Sequence, residues 1–144
     1  MADNHSKESR SYNMSRIRAK DTKPEQIVRK YLFSQGFRYR KNVSTLPGKP
    51  DIVLPKYRTV IFVHGCFWHM HEGCSRANIP KSNEDYWIPK LFKNKERDLR
   101  NIYSLELQGW NVIIVWECEL KSLKKEITLK KLQDLIRGTE NFLC

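Results

Sequence analysis

Two nearly uninterrupted apolar segments constrain the fold of this chain more than any other feature. Thr59–Val63 and Trp110–Trp116 consist almost entirely of β-branched and aromatic residues. Segments of this kind form strands that are buried on both faces, because a strand with one solvated face would alternate apolar and polar residues. A sheet built from such strands needs helices on both sides. The sequence therefore predicts an α/β fold in which helices flank a central, mixed β-sheet.

Three amphipathic segments can supply these helices. The first has Asp21 or Thr22 as its N-cap and ends at Gly36, the second begins near Asp85 or Pro89 and ends at about Leu107, and the third ends at Gly138. The residues predicted to be buried are Ile27, Val28, Tyr31 and Leu32, then Leu91, Phe92, Leu99, Ile102 and Tyr103, and finally Ile127, Leu132, Leu135 and Ile136.

A short strand, Asp51–Leu54, follows the turn at Leu46–Pro50 and is predicted to form a hairpin with Thr59–Val63. The predicted order of elements is then α, β, β, α, β, α. A chain of 144 residues has the usual size of a single domain.

The charge balance predicts an anionic partner. Lysine and arginine total 27 against 16 acidic residues, so the net charge is +11. Nucleic acid is the leading candidate, and a merely basic surface is the alternative. Residues 1–20 carry Arg10, Arg16, Arg18 and Lys20 with few apolar residues. We therefore predict a basic DNA-binding arm at 1–20 and a separate folded domain at 21–144.

No apolar run approaches the ~20 residues that a membrane-spanning helix needs, and residues 1–20 do not resemble a secretion signal. A cytoplasmic protein with no membrane partner is expected.

Histidine and cysteine are concentrated in the window His64–Cys74, which holds three of the four histidines and two of the four cysteines. A reducing cytosol disfavours disulfides, so metal binding is the better prediction. Cys66, His71, Cys74 and Cys118 could close a tetrahedral zinc site without an open position, which would make the zinc structural. The alternative is that the cysteines are small buried hydrophobes and the histidines lie on the surface. Cys144 is predicted to be a free thiol.

A second candidate metal site begins at Asp51, which enters a strand directly after Pro50, as in many nucleases. Where the commonest nuclease pattern has an acid and then a lysine in the next strand, this chain has Val63, His64 and Gly65. His64 and His69 are side chains that can orient or deprotonate a water near neutral pH. Asp51 has a simpler explanation as a turn cap, Glu25 as an acid at a helix N-terminus, and Asp98 as a solvated or structural acid.

Four strings carry a resemblance that covers most of the chain, from about Asn13 to Glu119. They are Leu-Pro-Gly-Lys-Pro-Asp at 46–51, Val-Ile-Phe-Val-His-Gly-Cys-Phe-Trp-His at 60–69, Lys-Asn-Lys-Glu-Arg-Asp at 93–98 and Gly-Trp-Asn-Val-Ile-Ile-Val-Trp-Glu-Cys at 109–118. The chain resembles the very-short-patch-repair (Vsr) endonucleases. This resemblance implies a restriction-endonuclease-like fold in a bacterial cytoplasmic enzyme. Such an enzyme nicks DNA 5′ to the thymine of a T:G mismatch, which arises when 5-methylcytosine is deaminated.

The resemblance also implies roles for individual residues. Asp51 and the backbone carbonyl of Val63 would bind Mg²⁺, His69 would activate the attacking water, and Glu25 and His64 would assist. Two departures from the family occur: valine replaces the usual threonine at 63, and the loop before Cys74 is one residue longer.

For DNA contacts, the resemblance implies that Phe67, Trp68 and Trp87 enter the major groove while Met14 reaches the minor groove. The alternative is that the three aromatic residues are packed in the core. Candidate partners besides the duplex are mismatch-repair proteins and a cytosine-5 methyltransferase system, and the simplest assembly is a monomer. Two other functions stay open: a restriction endonuclease that cuts matched duplex, and a zinc-containing DNA-binding module without catalysis.

Overall fold

The computed structural model describes residues 22–77, 79 and 81–142, and in these residues helices enclose a four-stranded sheet. The α-helices are α1 (Lys23–Ser34), α2 (Glu84–Leu107) and α3 (Lys124–Phe142), and the strands are β1 (Arg40–Lys41), β2 (Ile52–Leu54), β3 (Thr59–His64) and β4 (Asn111–Trp116). The predicted order of elements is confirmed, with the short strand β1 added. The predicted single α/β domain is confirmed as well. The basic arm and Met14 lie outside the described residues.

The strand order is β1-β2-β3-β4, and the sheet is mixed, as predicted. β2 pairs antiparallel with both β1 and β3, whereas β3 and β4 are parallel, with His64 opposite Trp116. β2 runs opposite to β3 and β4. The residue that directly precedes β2 therefore lies at the same end of the sheet as the last residues of β3 and β4. This topology brings Asp51, His64 and Trp116 to the same end of the sheet.

Helices α1 and α3 cover one face of the sheet. Val28 and Leu32 of α1 and Leu132 and Ile136 of α3 pack with Ile61 in one buried cluster. A hydrogen bond of 2.6 Å from the hydroxyl of Tyr31 to Oε1 of Gln133 joins the two helices directly. Each fully buried aliphatic side chain of this cluster contributes roughly 1.5–3 kcal/mol to folding.

Helix α2 covers the opposite face, where Leu105 packs with Val53, Val60 and Phe62. The prediction that Thr59–Val63 is buried on both faces is confirmed, since β3 is buried apart from a half-exposed Val63. It is only partly right for the second segment, because β4 lies at an edge of the sheet and its residues 112–114 are half-buried.

The predicted buried stripes of α2 and α3 are wrong at several positions. Phe92, Leu99 and Tyr103 are 49%, 59% and 65% exposed, and Ile127 and Leu135 are 72% and 50% exposed. Helical periodicity identifies an apolar side of a helix but not how much of it a neighbour covers. Among the described elements α2 is the one helix packed on its face of the sheet, so only a narrow part of its apolar surface is buried.

The helix ends are set largely by the residues that were predicted to set them. Thr22 accepts a hydrogen bond of 3.4 Å from the Glu25 amide at the start of α1, and Gly36 and Gly109 adopt φ of +89° and +88° just after α1 and α2. The alternative cap Asp21 lies outside the described residues. α2 begins at Glu84, and α3 continues past Gly138 to Phe142. In the described part of the chain, no helix has the length and apolarity to cross a membrane.

Candidate active site and metal-binding cluster

Asp51 and Val63 lie next to each other at the end of the sheet where β2 begins. The backbone amide of Val63 donates a hydrogen bond of 2.7 Å to Oδ2 of Asp51. Burial raises the pKa of the Asp51 carboxyl from 3.8 to about 7; the Val63 amide opposes this rise, and the nearby Glu25 carboxyl adds to it. A second carboxyl group in a desolvated place raises the pKa of Asp51 in this way because like charges repel.

Glu25 belongs to the same group of side chains, although it comes from α1. It is 2% exposed, it interacts with Asp51 through charge and a side-chain hydrogen bond, and it forms an ion pair of 3.2 Å with Nη1 of Arg29. Carboxylate and carbonyl oxygens are the ligands that Mg²⁺ takes in proteins. A divalent cation between the two acids would also relieve their repulsion. The residues present therefore fit a magnesium site, which Asp51, Glu25 and the Val63 carbonyl could form.

His69 and Asp98 form the second part of the site. Nδ1 of His69 lies 2.5 Å from Oδ2 of Asp98, which projects from the middle of α2. The His69 ring stacks on that of His64, with centroids 3.8 Å apart and an angle of 5° between the planes. A carboxylate on one ring nitrogen orients the imidazole and leaves Nε2 as the atom that can exchange a proton.

His64 is built differently from its neighbour. It is 5% exposed, and its Nδ1 atom has no hydrogen-bond partner in the described part of the chain. Burial and the adjacent His69 lower the pKa of His64 from 6.5 to about 4. His64 is therefore neutral at pH 7, so it suits neutral hydrogen bonding to a phosphate or water rather than proton abstraction.

The four predicted zinc ligands come together next to this site. The ligand atoms of Cys66, His71, Cys74 and Cys118 all lie within 4.8 Å of one another, and Sγ of Cys118 is 3.5 Å from Nδ1 of His71. Two ligands of one tetrahedral zinc ion, with bonds of roughly 2.3 Å and 2.0 Å, are about 3.5 Å apart. Burial raises the pKa of the Cys66 thiol to about 12 and also raises that of Cys118, as expected for thiols crowded together without a cation. The residues thus fit zinc, and the ligand set joins the loop after β3 to the end of β4.

Phe67, Trp68 and Trp87 form a cluster of their own beside His69. Their ring centroids are 5.1–5.6 Å apart in edge-on contacts, and all three side chains are half-buried. None of them belongs to either buried core. Lys90 of α2 places its ammonium 5.7 Å from the Trp68 ring centroid, and the Asn94 amide donates a hydrogen bond of 3.3 Å to the Trp68 carbonyl. The cluster is therefore a partly exposed aromatic surface supported by α2.

Comparison with known proteins decides the family. The model of the family described as "DNA mismatch endonuclease Vsr" matches residues 2–76. The chain is 43% identical over 141 residues to the DNA mismatch endonuclease Vsr of Escherichia coli (strain K12), which covers 96% of this chain and 90% of that protein. The chain belongs to the Vsr family.

Two relatives whose names state a nicking activity are more similar in sequence to this Vsr-family chain than the Escherichia coli protein is. It is 54% identical over 137 residues to the type II nicking enzyme V.NmeAIP of Neisseria meningitidis serogroup A, covering 95% of this chain and 96% of the relative. It is 50% identical over 123 residues to the type II nicking enzyme V.XorIIP of Xanthomonas oryzae pv. oryzae, covering 85% and 90%. The protein is accordingly a DNA endonuclease.

Within this Vsr-family fold, sequence reasoning missed two residues of the candidate site. Asp98 was interpreted as a solvated or structural acid and its contact with His69 was not predicted, and Arg29 was not singled out at all. A sequence pattern that could have found Asp98 is the four-residue spacing of Lys90, Asn94 and Asp98, which places all three on one side of a helix. That side of α2 contacts the aromatic cluster and His69.

Proposed function

We propose that this Vsr-family enzyme nicks one strand of duplex DNA 5′ to the thymine of a T:G mismatch left by deamination of 5-methylcytosine. The nick would start very short patch repair. The observation that supports the proposal is the pairing of His69 with Asp98, at the same end of the sheet where Asp51 interacts with Glu25. An oriented base beside an oxygen-rich cation site is what hydrolysis of a phosphodiester requires.

His69 is the general base in this mechanism. Its Nε2 atom takes a proton from the attacking water, the water oxygen forms a bond to phosphorus, and the bond from phosphorus to the leaving oxygen breaks. The Nδ1–H group of His69 donates a hydrogen bond to Asp98. This hydrogen bond keeps the ring in the tautomer whose Nε2 carries no proton, and it stabilises the imidazolium that forms. His64, which is neutral, supports the His69 ring from one side and contacts phosphate or water.

Asp51 and the carbonyl of Val63 would hold the magnesium, and Glu25, which the resemblance gives only an assisting role, is added to them because it interacts directly with Asp51. When bound, Mg²⁺ supplies stabilisation of the negative charge that builds up on the phosphate and on the leaving oxygen. The replacement of threonine by valine at 63 is compatible with this role, because the ligand is the backbone carbonyl. The hydrogen bond from the Val63 amide fixes the Asp51 carboxylate against β3.

The zinc ion is structural in this proposal, because four protein ligands leave no position for substrate. It would fix the loop that contains both the base His69 and the aromatic residues Phe67 and Trp68. His71 stacks on Trp116 at 4.1 Å between ring centroids, so the metal site is anchored to β4 as well.

Recognition of the mismatch is assigned to the aromatic cluster. Phe67, Trp68 and Trp87 would insert between base pairs from the major groove, and Met14 in the basic arm would reach the minor groove. Unstacking a step costs a few kcal/mol, and the cost is smaller at a mispair, so insertion favours T:G over matched DNA. The excess positive charge supplies phosphate contacts that carry no sequence information.

The mixed sheet with helices on both faces is compatible with a restriction-endonuclease-like fold. One nick needs one active site, so a monomer is proposed. Mismatch-repair proteins and a cytosine-5 methyltransferase system are proposed as functional partners.

The test is an incubation of the zinc-loaded protein with Mg²⁺ and end-labelled duplexes that differ only in T:G versus C:G, in varied sequence contexts. A single Mg²⁺-dependent cut on the strand of the mispaired thymine is expected. Cleavage of both strands of the matched duplex would instead indicate a restriction endonuclease. Tight binding without a cut would indicate a DNA-binding module that lacks catalysis.

A further inference from the structure

Arg29 is a buried cation for which the proposed mechanism has no use. It lies one helical turn after Glu25 in α1, is 6% exposed, and pairs with the Glu25 carboxylate at 3.2 Å. Most ion pairs with this spacing lie on helix surfaces and contribute little to stability. A buried pair has to overcome the cost of removing two charges from water, so it is often no better for stability than two apolar residues. The position of this pair therefore calls for a reason other than stability.

The reason lies in what surrounds the pair. Glu25 interacts both with Asp51 and with Arg29, and the charge of Arg29 also acts on Asp51. When both carboxylates are ionised, their charges and that of the one guanidinium sum to about −1. A divalent cation that enters between the carboxylates is attracted by both acids and repelled by the guanidinium.

We propose that Arg29 is a built-in counter-cation of the Asp51–Glu25 pair: it holds the Glu25 carboxylate beside Asp51 when no metal is bound, and it lowers the affinity of the pair for a divalent cation. Arg29 is a positioning residue in this scheme and does not contact the substrate. One consequence is that free Mg²⁺ binds weakly, and binding becomes strong when a DNA phosphate brings further anionic oxygens to the metal. The inference rests on the proposed role of Asp51 and Glu25 as metal ligands.

The experiment measures Mn²⁺ binding by electron paramagnetic resonance, without DNA and without chelator, on the zinc-loaded full chain. Mn²⁺ takes the same oxygen ligands as Mg²⁺ and does not compete with zinc for thiolates. The variants are Arg29→Met, Glu25→Gln and the double variant Glu25→Gln/Arg29→Met. Asp51→Asn identifies the site, and Lys30→Met is the matched control, since it removes a charge from an exposed position of the same helix.

Arg29→Met is expected to bind Mn²⁺ about tenfold more tightly than the wild type, because a repelling charge a few ångströms away is lost. Glu25→Gln should bind more weakly. Adding Arg29→Met to Glu25→Gln should restore tightness, and Lys30→Met should stay within about twofold of wild type. A role of Arg29 in folding alone would not raise metal affinity in any variant.

Equal or weaker Mn²⁺ binding by a folded Arg29→Met protein would overturn the inference, as would Mn²⁺ binding that Asp51→Asn leaves unchanged. If Arg29→Met does not fold, the double variant decides, because it leaves no unpaired charge from the Glu25–Arg29 pair; binding no tighter than that of Glu25→Gln then overturns it. The outcome is separable from the proposed function. If the wild type binds Mn²⁺ at Asp51 but does not nick T:G duplexes, only the proposed function is contradicted. If the wild type nicks T:G duplexes but its Mn²⁺ affinity does not change when Arg29 is replaced, only this inference is contradicted.

Discussion

The Nδ1 atom of His69 and the Oδ2 atom of Asp98 are 2.5 Å apart, although one residue lies in the loop after β3 and the other in the middle of α2, 29 positions later. This contact joins the loop that contains Cys66, His71 and Cys74 to the helix that covers one face of the sheet. It also leaves His69 with a fixed ring orientation and one free nitrogen.

Asp98→Asn is therefore expected to slow nicking of a T:G duplex by roughly 10²–10⁴-fold, as loss of an orienting carboxylate does in other enzymes with a histidine base. DNA binding should change little, because the side chain keeps its size. Single-turnover nicking under saturating enzyme measures the rate. Asp134→Asn is the control, since Asp134 is also an ion-paired acid but lies exposed on α3, 3.3 Å from Lys130. Wild-type rates from both proteins would contradict the role of Asp98.

Sequence patterns predicted what depends on neighbouring residues. The strands followed from their apolar composition and the hairpin from the turn between Leu54 and Thr59. The grouping of three cysteines and one histidine followed from a dense window plus one cysteine at the end of a strand. The contact of Asp98 could not be predicted in the same way. Residues 94–98 interrupt the apolar stripe of α2, and whether Asp98 faces His69 depends on how α2 packs on the sheet. Arg29 was missed for a related reason: an arginine on a helix is usually solvated, and only the structure shows that it is buried.

Zinc content tests the cysteine cluster. Purified protein is expected to contain one zinc ion per chain, and Cys118→Ala is expected to lose it and to melt at least about 10 °C lower. The ligand set links β3 to β4, so its loss frees the loop that holds His69. Because the pKa of the Cys66 thiol is raised to about 12 in the absence of metal, zinc must displace protons, and its affinity should fall as the pH is lowered from 8 to 6.5. Metal analysis and competition with a chromophoric chelator measure both effects, with Cys144→Ser as the control.

The aromatic cluster can be tested by removing the Trp68 ring, which contacts both Phe67 and Trp87. Trp68→Ala is expected to reduce nicking of T:G duplexes by about 10–100-fold, because insertion between base pairs has to offset an unstacking cost of a few kcal/mol. Binding to matched duplex, which rests on phosphate contacts, should change by less than about threefold. A 2-aminopurine next to the mismatch should brighten with the wild type and stay quenched with the variant. Tyr103→Ala is the control, because Tyr103 is a 65% exposed aromatic residue on the same helix as Trp87. Equal brightening by Trp68→Ala would assign insertion to another residue.

Asp51 provides a prediction in which activity and stability move in opposite directions. Its pKa rises from 3.8 in the unfolded chain to about 7 in the folded, magnesium-free protein, so between these values the folded state binds the proton more tightly. The free energy of unfolding must then decrease as pH rises from about 4 to about 7 and level off above, since the unfolded state releases its proton first.

Asp51→Asn carries no charge at any pH and retains an oxygen that can accept the Val63 amide hydrogen bond. In magnesium-free buffer without chelator at pH 8, this variant is expected to melt roughly 3–8 °C above the wild type, and the difference should shrink at pH 5, where wild-type Asp51 is protonated. Nicking should be lost, because the carboxylate is the proposed metal ligand. Thermal unfolding at the two pH values, followed by the T:G nicking assay, checks both statements. A variant that melts below the wild type at pH 8 would show that the crowded carboxylates do not repel one another in the metal-free protein, and adding Mg²⁺ should raise the melting temperature of the wild type but not that of the variant.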